Sequence, residues 1–267
     1  MIVRDEEAAL ARCLASVDGV ADELVVVDTG STDATVAIAR RHGARVLHHD
    51  FRPVDFAAAR NVGLDRAGGD FILVLDADET LDPASAPAVR LLAAEQANVG
   101  YVVTRRNVAP EKTWFDHAVR LFPGRPGYRY RHRVHETIDD SILAAGGRIQ
   151  RSEIVLDHHL PAESQSHAKG VRYLALLEEE ASDDPDRLVF LAAEYHKLER
   201  YADATAIAER VAALSPADFT AQFNAALYHY FFVGDPGRAR DDLRKALSLR
   251  PADPAALALL AVIDAAA

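Results

Sequence analysis

Short apolar runs alternate with helical patterns along the first 75 residues of the chain. Continuous apolar runs of four to eight residues are typical of strands buried on both faces of a sheet. The predicted strands are 24–28, 45–48 and 71–75, and the predicted helices between them are 6–18, 33–42 and 55–66. This order predicts an α/β domain with a Rossmann-like, mostly parallel sheet and helices on both of its faces.

Carboxylates follow two of these predicted strands. Asp28 ends the second strand, while Asp76 and Asp78 follow the run Phe71–Leu75. Ligands of open α/β sheets bind at the carboxyl ends of the strands, so these side chains are expected at one rim. Asp76 and Asp78, with Ala77 between them, can share one hard divalent cation. The alternative is an acidic, solvated turn.

The turn that follows Asp28 also suits a nucleotide. Gly30 permits a tight turn, and Ser31 or Thr32 can cap the next helix. Exposed amides and hydroxyls of this turn could contact a base, a ribose or a phosphate. A well-capped connection between strand and helix is the alternative reading of the same residues. At the start of the chain, Met1-Ile2-Val3 directly precedes a charged helix start, so we expect a first strand that is short or begins upstream.

Beyond residue 160 the pattern becomes helical only, which places a domain boundary there: an α/β domain at 1–160 and a helical domain at 161–267. A helix is predicted at 163–181, and the remainder aligns with itself at an offset of 35 residues. The aligned pairs are Leu188 with Phe223, Tyr195 with Tyr230, Ala204 with Ala239, and Pro216 with Pro251. Small, aromatic and proline residues at these positions are typical of tetratricopeptide repeats.

Two such repeats and a capping helix at 254–264 are therefore expected in the helical domain. So short an array buries little surface by itself, so we expect the helix at 163–181 to dock on the α/β domain. A homodimer formed through the helical domain is a further expectation. The concave face could present a peptide acceptor, and a purely scaffolding role is the alternative.

Composition narrows the classes of function. The 267 residues carry a net charge of −11, which argues against a broad nucleic-acid footprint or an electrostatic hold on anionic membranes. The single cysteine, Cys13, excludes an internal disulfide. The sequence contains no apolar run of membrane-spanning length and no basic, apolar leader, so no membrane span and a cytoplasmic location are expected.

Four short motifs stand in one order along residues 1–160. They are Met1-Ile-Val-Arg-Asp-Glu-Glu7, Val27-Asp-Thr-Gly-Ser-Thr-Asp33, Asp55-Phe-Ala-Ala-Ala-Arg-Asn61 and Leu75-Asp-Ala-Asp-Glu79. Together they resemble family 2 glycosyltransferases of the GT-A fold. The resemblance is greatest to the bacterial branch with helical repeats after the catalytic domain, whose relatives include peptide S-glycosyltransferases and lipopolysaccharide-core glucosyltransferases.

The resemblance implies roles for the residues of these motifs. Asp28 and Thr29 would bind the nucleoside, and Arg60 would reach the base or the diphosphate as a fixed guanidinium fork. Asp76 would contact the nucleotide sugar, and Asp76 and Asp78 would hold Mg²⁺ or Mn²⁺ on the diphosphate. The metal would stabilise the departing nucleoside diphosphate as a Lewis acid.

Two later segments complete the implied site. Arg133-Val-His-Glu136 is similar to the family's His-Glu pair, which makes Glu136 the expected catalytic base and His135 its orienter or alternative. Asp157-His158-His159 ends an apolar strand, and His158 lies nearest the position of a late metal ligand in GT-A enzymes. Adjacent residues of a strand face opposite ways, so at most one of these histidines is an expected ligand.

The implied function is a metal-dependent, inverting glycosyltransferase. It would move a sugar from a nucleotide diphosphate donor, expected to be a uridine diphosphate sugar, to a peptide, a glycan or a small molecule. The alternative is a noncatalytic interaction protein whose GT-A domain binds nucleotide without turnover. Nucleotide binding with and without Mn²⁺ would test the transferase hypothesis, and donor turnover would separate it from this alternative.

Overall fold

The computed structural model describes residues 1–95, 97–160, 166–180 and 182–265. The chain divides into two compact units, Met1–Ser164 and Gln165–Ala267. The first unit is mixed α/β and the second is helical. Within the described ranges, every helix is too short or too polar to traverse a lipid bilayer.

A three-stranded parallel sheet forms the beginning of the α/β unit, in the order β1-β2-β3. Its strands are β1 (Ile2–Val3), β2 (Val25–Asp28) and β3 (Arg45–His48), and the helices that accompany them are α1 (Leu10–Ser16), α2 (Thr35–Arg41) and α3 (Phe56–Leu64). The α/β class predicted from the apolar runs is confirmed here. The predicted strands at 24–28 and 45–48 agree with β2 and β3 to within one residue.

A second sheet has five strands in the order β4-β7-β6-β8-β5. The strands are β4 (Phe71–Leu73), β5 (Glu79–Leu81), β6 (Val99–Ala109), β7 (Lys112–Pro123) and β8 (Arg148–His159), with α4 (Ala86–Ala94) and α5 (Asp139–Ala144) between them. Only β6 and β8 pair in parallel; the other three pairings are antiparallel.

The mixed pairing differs from the mostly parallel sheet expected from the sequence. The apolar run at 71–75 forms strand only to Leu73, and it pairs with Leu121–Pro123 of β7. β1 has only two residues and pairs with β2 alone. For β4, the long β6–β7 hairpin is the pairing partner instead. An apolar run reports burial on both faces but not the direction of the neighbouring strand, so the sequence could not distinguish the two arrangements.

One core cluster of the α/β unit lies between α1, α4 and the second sheet. Tyr101 and Val103 of β6 and Ile154 and Leu156 of β8 are nearly or fully buried in it. Cys13 of α1 belongs to the same cluster, with no exposed surface. Burial raises the pKa of the Cys13 thiol to about 12, so this side chain is a protonated packing group at neutral pH.

The second unit is a series of helices. They are α6 (Ser166–Glu179), α7 (Pro185–Lys197), α8 (Tyr201–Leu214), α9 (Phe219–Tyr228), α10 (Pro236–Leu249) and α11 (Pro254–Ala265). The helix predicted at 163–181 is described over 166–179, and residues 163–165 and 181 lie outside the described residues. The capping helix predicted at 254–264 is α11.

The 35-residue offset corresponds to equivalent places in these helices. Ala204 in α8 and Ala239 in α10 are both completely buried, as small residues are where two helices approach closely. Asp218 caps α9 by accepting from the backbone N–H of Thr220 at 2.8 Å, and Asp253, 35 residues later, accepts from the backbone N–H groups of Ala255 and Ala256 at the start of α11. An aspartate cap is a strong helix start signal, so its recurrence after 35 residues contributes to the repeat pattern.

We expect Gly100→Ala to destabilise the α/β unit. A Cβ at position 100 would lie 2.7 Å from Cδ1 of Ile142 and 3.1 Å from both Cδ1 of Ile149 and Cγ1 of Val119. Overpacking of this kind in a closed core costs about 1–3 kcal/mol. Urea unfolding measures the loss. Gly127→Ala, where a Cβ meets nothing within 4 Å, is the matched control, and equal midpoints for the two variants would contradict this packing account.

Candidate functional site

The beginning of α3 positions the first site residue. Asp55 caps this helix by accepting a hydrogen bond from the backbone N–H of Ala58 at 2.8 Å. Asn61 exchanges two hydrogen bonds of 2.9 Å with the backbone of Tyr130, which attaches α3 to the segment that leads to Glu136. Asn61 therefore holds the backbone of α3 against the segment around Tyr130, and the neighbouring Arg60 is directed into the site.

Arg60 joins two of the predicted site carboxylates. Its Nη2 donates to Oδ1 of Asp76 at 2.8 Å, and its Nε donates to Oε1 of Glu136 at 2.6 Å. The guanidinium is 8% exposed and lies 5.4 Å from the ring centroid of Tyr130. The structure thus brings together Arg60, Asp76 and Glu136, which the sequence placed in three separate motifs.

A second guanidinium holds the other side of Asp76. Nη2 of Arg120, on β7, donates to Oδ2 of Asp76 at 2.8 Å and to Oε1 of Glu79 at 3.3 Å. Burial raises the pKa of Asp76, but the charges of Arg120 and Arg60 outweigh it and hold this pKa well below its usual value. Asp76 is therefore ionised throughout the physiological range, and both of its oxygens accept from arginine.

Glu79 contacts both Asp76 and Arg120. It has no exposed surface, and its Oε2 accepts from the backbone N–H of Asp76 at 2.9 Å. Burial raises the pKa of Glu79. Glu79 ends the acidic motif Leu75–Glu79, but neither it nor Arg120 was expected at the site from the sequence. The signal available for Arg120 was a single charged residue within the apolar run 118–122.

Asp78 and His158 form a second pair of predicted site residues. Nε2 of His158 lies 3.2 Å from Oδ2 of Asp78, and Nδ1 lies 2.7 Å from Oδ1 of Asn107. Burial lowers the pKa of His158, but the hydrogen bond and charge of Asp78 raise it by more, so the net shift is upward. The neighbouring His159 has its Nε2 2.9 Å from Oγ1 of Thr80.

The three predicted metal ligands are therefore not equivalent. Among the residues that the structure describes, no group of three or more His, Cys, Asp or Glu side chains is arranged to hold a metal ion. Asp78 and His158 fit a divalent cation, since a carboxylate oxygen and an imidazole nitrogen face each other and suit Mn²⁺. Asp76 does not fit equally well, because both of its oxygens accept from guanidinium groups.

Asp28 and Thr29 occupy the turn that follows β2. Asp28 is 3% exposed and accepts from the backbone N–H groups of Gly30 and Ser31 at 3.3 and 3.1 Å. Burial raises its pKa, but these hydrogen bonds outweigh burial and lower it. The hydroxyl of Thr29 donates to the backbone oxygen of Val3 at 3.1 Å. His48, to which sequence reasoning gave no role, lies with Nδ1 3.3 Å from Oδ2 of Asp28.

His135 and Glu136 belong to a short loop that Arg131 and Thr137 close by two backbone hydrogen bonds of 2.9 and 3.2 Å. His135 has a φ of 50°, in the left-handed region that non-glycine residues rarely adopt. Such conformations persist where the surrounding structure fixes them, and they concentrate at functional sites. This loop directs Glu136 to Arg60.

Comparison with known proteins gives the family. The profile of Glycosyl transferase family 2 matches residues 1–158, so the chain belongs to that family. A "TPR repeat-containing protein" of Synechococcus elongatus is 45% identical over 54% of this chain and 36% of its own length. The lipopolysaccharide core biosynthesis glycosyltransferase LpsC of Rhizobium meliloti is 32% identical over 52% of this chain and 55% of its own. The chain thus spans between about a third and about half of these relatives.

A solved structure gives the fold. TarS of S. aureus, residues 1–349 in complex with UDP-GlcNAc, matches 94% of this chain and 90% of its own, with a TM-score of 0.54 and 13% identity. At this identity the likeness establishes the fold alone. These findings confirm the resemblance and the GT-A class of fold inferred from the four motifs.

We expect Arg120→Met to destabilise the α/β unit strongly. Without Arg120, Asp76 keeps only the ion pair with Arg60, and the buried Glu79 keeps only the 3.5 Å ion pair with Arg105. Loss of one partner of a buried ion cluster costs about 3–5 kcal/mol. Urea unfolding measures the change. Adding Glu79→Gln to Arg120→Met removes the buried carboxylate charge that has lost its nearer guanidinium and should recover part of the stability.

Arg129→Met is the matched control for this experiment. Arg129 pairs with Asp65 at 2.6 Å, with the two side chains 38% and 54% exposed. Exposed pairs contribute only about 0–1 kcal/mol, so this variant should unfold close to wild type. A loss at position 120 no larger than the loss at position 129 would show that the cluster is not stabilising.

Proposed function

We propose that this protein is an inverting, metal-dependent glycosyltransferase. It takes a sugar from a nucleotide diphosphate donor and transfers it to a peptide or glycan acceptor. One observation carries the proposal most directly: the Arg60 guanidinium lies between Asp76 and Glu136, so one side chain joins the donor-side motif to the candidate base. Membership of Glycosyl transferase family 2 supports the reaction class.

The donor side is assigned to two groups of residues. Asp28 and Thr29, in the turn after β2, contact the nucleoside, and Arg60 and Asp76 contact the nucleotide sugar. Asp78 and His158 hold Mn²⁺, or Mg²⁺, and an imidazole donor favours Mn²⁺. When bound, the metal stabilises the negative charge of the departing diphosphate. A uridine diphosphate sugar is our first choice, because TarS holds UDP-GlcNAc in a structure of the same fold.

The acceptor side is assigned to Glu136. An inverting transfer proceeds by direct displacement, which needs one carboxylate to accept the proton of the attacking group. Arg60 holds Glu136 through Oε1 at 2.6 Å, and Oε2 is the atom that we assign to the acceptor proton. The charge-assisted bond fixes the direction of the carboxylate. His135, the adjacent residue in the strained loop, orients this glutamate or replaces it as the base.

Nucleotide binding tests the donor half of this proposal. We expect uridine diphosphate with Mn²⁺ to raise the melting temperature of the wild type, since a ligand that binds only the folded state stabilises it. Asp78→Ala should lose the part of the shift that depends on Mn²⁺. Guanosine diphosphate is the comparison ligand. No shift with either nucleotide and metal, together with wild-type behaviour of Asp78→Ala, would refute the transferase assignment.

Turnover tests the acceptor half. Glu136→Gln keeps an oxygen that can accept from Arg60 but removes the basic carboxylate, so transfer should fall about 10²–10⁴-fold while nucleotide binding stays unchanged. The measurement is product formation from a panel of nucleotide sugars. Asp65→Asn, an exposed carboxylate paired with Arg129, is the control that should keep wild-type turnover.

The same measurement separates the proposed enzyme from a noncatalytic protein. A wild type that binds nucleotide with metal yet turns over no donor, with or without acceptor, would behave as the interaction protein. Equal turnover of Glu136→Gln and wild type would instead move the base to another residue, with His135 as the first to test.

A further inference from the structure

Asn107 lies where a polar side chain is costly. It is in β6, it is 2% exposed, and asparagine is poorly suited to strands. A buried amide is tolerated when its donors and acceptor are satisfied. Here Nδ2 donates to Oδ2 of Asp116 at 2.9 Å and reaches the backbone oxygen of Trp114 at 3.5 Å, while Oδ1 is 2.7 Å from Nδ1 of His158.

The direction of each bond follows from Asp116. Arg105 holds this carboxylate with two hydrogen bonds, Nε to Oδ1 at 2.6 Å and Nη2 to Oδ2 at 2.8 Å. An ionised carboxylate only accepts, so the amide group of Asn107 must present its NH₂ to Asp116. Its oxygen consequently faces His158, and Nδ1 of His158 must carry the hydrogen.

We propose that Asn107 is a positioning residue that fixes the ring orientation of His158 and keeps a hydrogen on its Nδ1, so that Nε2, on the side of Asp78, is the nitrogen that would bind the metal. The inference rests on the proposed function, because it assigns His158 to a metal. Asp116 and Arg105 complete the support by fixing the amide of Asn107. Partners of this kind orient imidazole ligands, and their removal weakens metal binding.

Strand pairing places these residues together. Asn107 of β6 is opposite His158 of β8 in the parallel pairing, and Arg105 is opposite Asp116 in the antiparallel β6–β7 pairing. Three strands therefore supply one line of hydrogen bonds from Arg105 to His158. A rigid sheet holds such a line more precisely than a loop would.

The experiment measures metal binding and ring form separately. Free Mn²⁺ is followed by electron paramagnetic resonance in the presence of uridine diphosphate, and the tautomer of His158 is read from ¹⁵N correlations of the metal-free protein, assigned by comparison with His158→Gln. The wild type should show Nδ1–H. Asn107→Leu should bind Mn²⁺ about 10–100-fold more weakly.

A reciprocal exchange keeps the proposal falsifiable if Asn107→Leu folds poorly. Asn107→Asp and Asp116→Asn each disturb the line of hydrogen bonds from Arg105 to His158. In the double variant, position 107 carries an acceptor for Nδ1 of His158, and position 116 carries an NH₂ group that donates to position 107. Mn²⁺ affinity should therefore recover in the double variant relative to either single change. Arg106→Gln is the control, because adjacent strand residues face opposite ways and Arg106 pairs with Asp157 and Asp82.

The outcomes separate this inference from the proposed function. Wild-type Mn²⁺ binding that Asn107→Leu leaves unchanged, an Nδ1 without a hydrogen in the metal-free wild type, or a double variant no better than the singles would each overturn the role of Asn107 alone. A wild type that binds no Mn²⁺ with uridine diphosphate would remove the metal from the proposed function, and this inference would fall with it.

Discussion

The carboxylate of Asp76, held between the guanidinium groups of Arg60 and Arg120, is the interaction on which the site depends. Burying two guanidinium groups and most of a carboxylate is expensive, and the mutual attraction offsets that cost only when the geometry is good and the remaining polar atoms are satisfied. The 2.8 Å bonds to both oxygens and the support of Glu79 meet that condition. Elements far apart along the chain, α3, β7 and the turn after β4, are thereby held in one arrangement.

The two aspartates of the acidic motif have different partners. Asp76 is committed to arginines, and Arg60 extends the same contact to Glu136. Oδ2 of Asp78 instead lies 3.2 Å from Nε2 of His158. The motif therefore supplies one carboxylate that organises the protein and one that faces a candidate metal ligand. A description in which both carboxylates share a single cation does not account for the double arginine contact.

Sequence patterns predicted the strands at 24–28 and 45–48, the helical repeats and the motif residues, because these depend on local periodicity and on short stretches of fixed spacing. They did not predict that 71–73 pairs antiparallel with β7, or that Arg120 contacts Asp76 and Asn107 contacts His158. Those pairs are 44 and 51 residues apart in the chain. Their formation depends on strand register, because a slip of one residue would move every side chain of the strand to the other face of the sheet. No local pattern therefore identifies these pairs.

Hydrogen bonds and ion pairs also connect the two halves of the site into a continuous series. The series runs through Glu136, Arg60, Asp76, Arg120, Glu79, Arg105, Asp116, Asn107, His158 and Asp78. The interval from Glu79 to Arg105, at 3.5 Å, is the longest of these. Each group in this series affects the orientation and the protonation of its neighbours. Substitutions at adjacent members of the series are therefore not expected to have additive effects. The candidate base and the candidate metal ligands thus lie at the two ends of one hydrogen-bonded series, and its most buried charged members, Arg60, Arg120 and Glu79, lie between them.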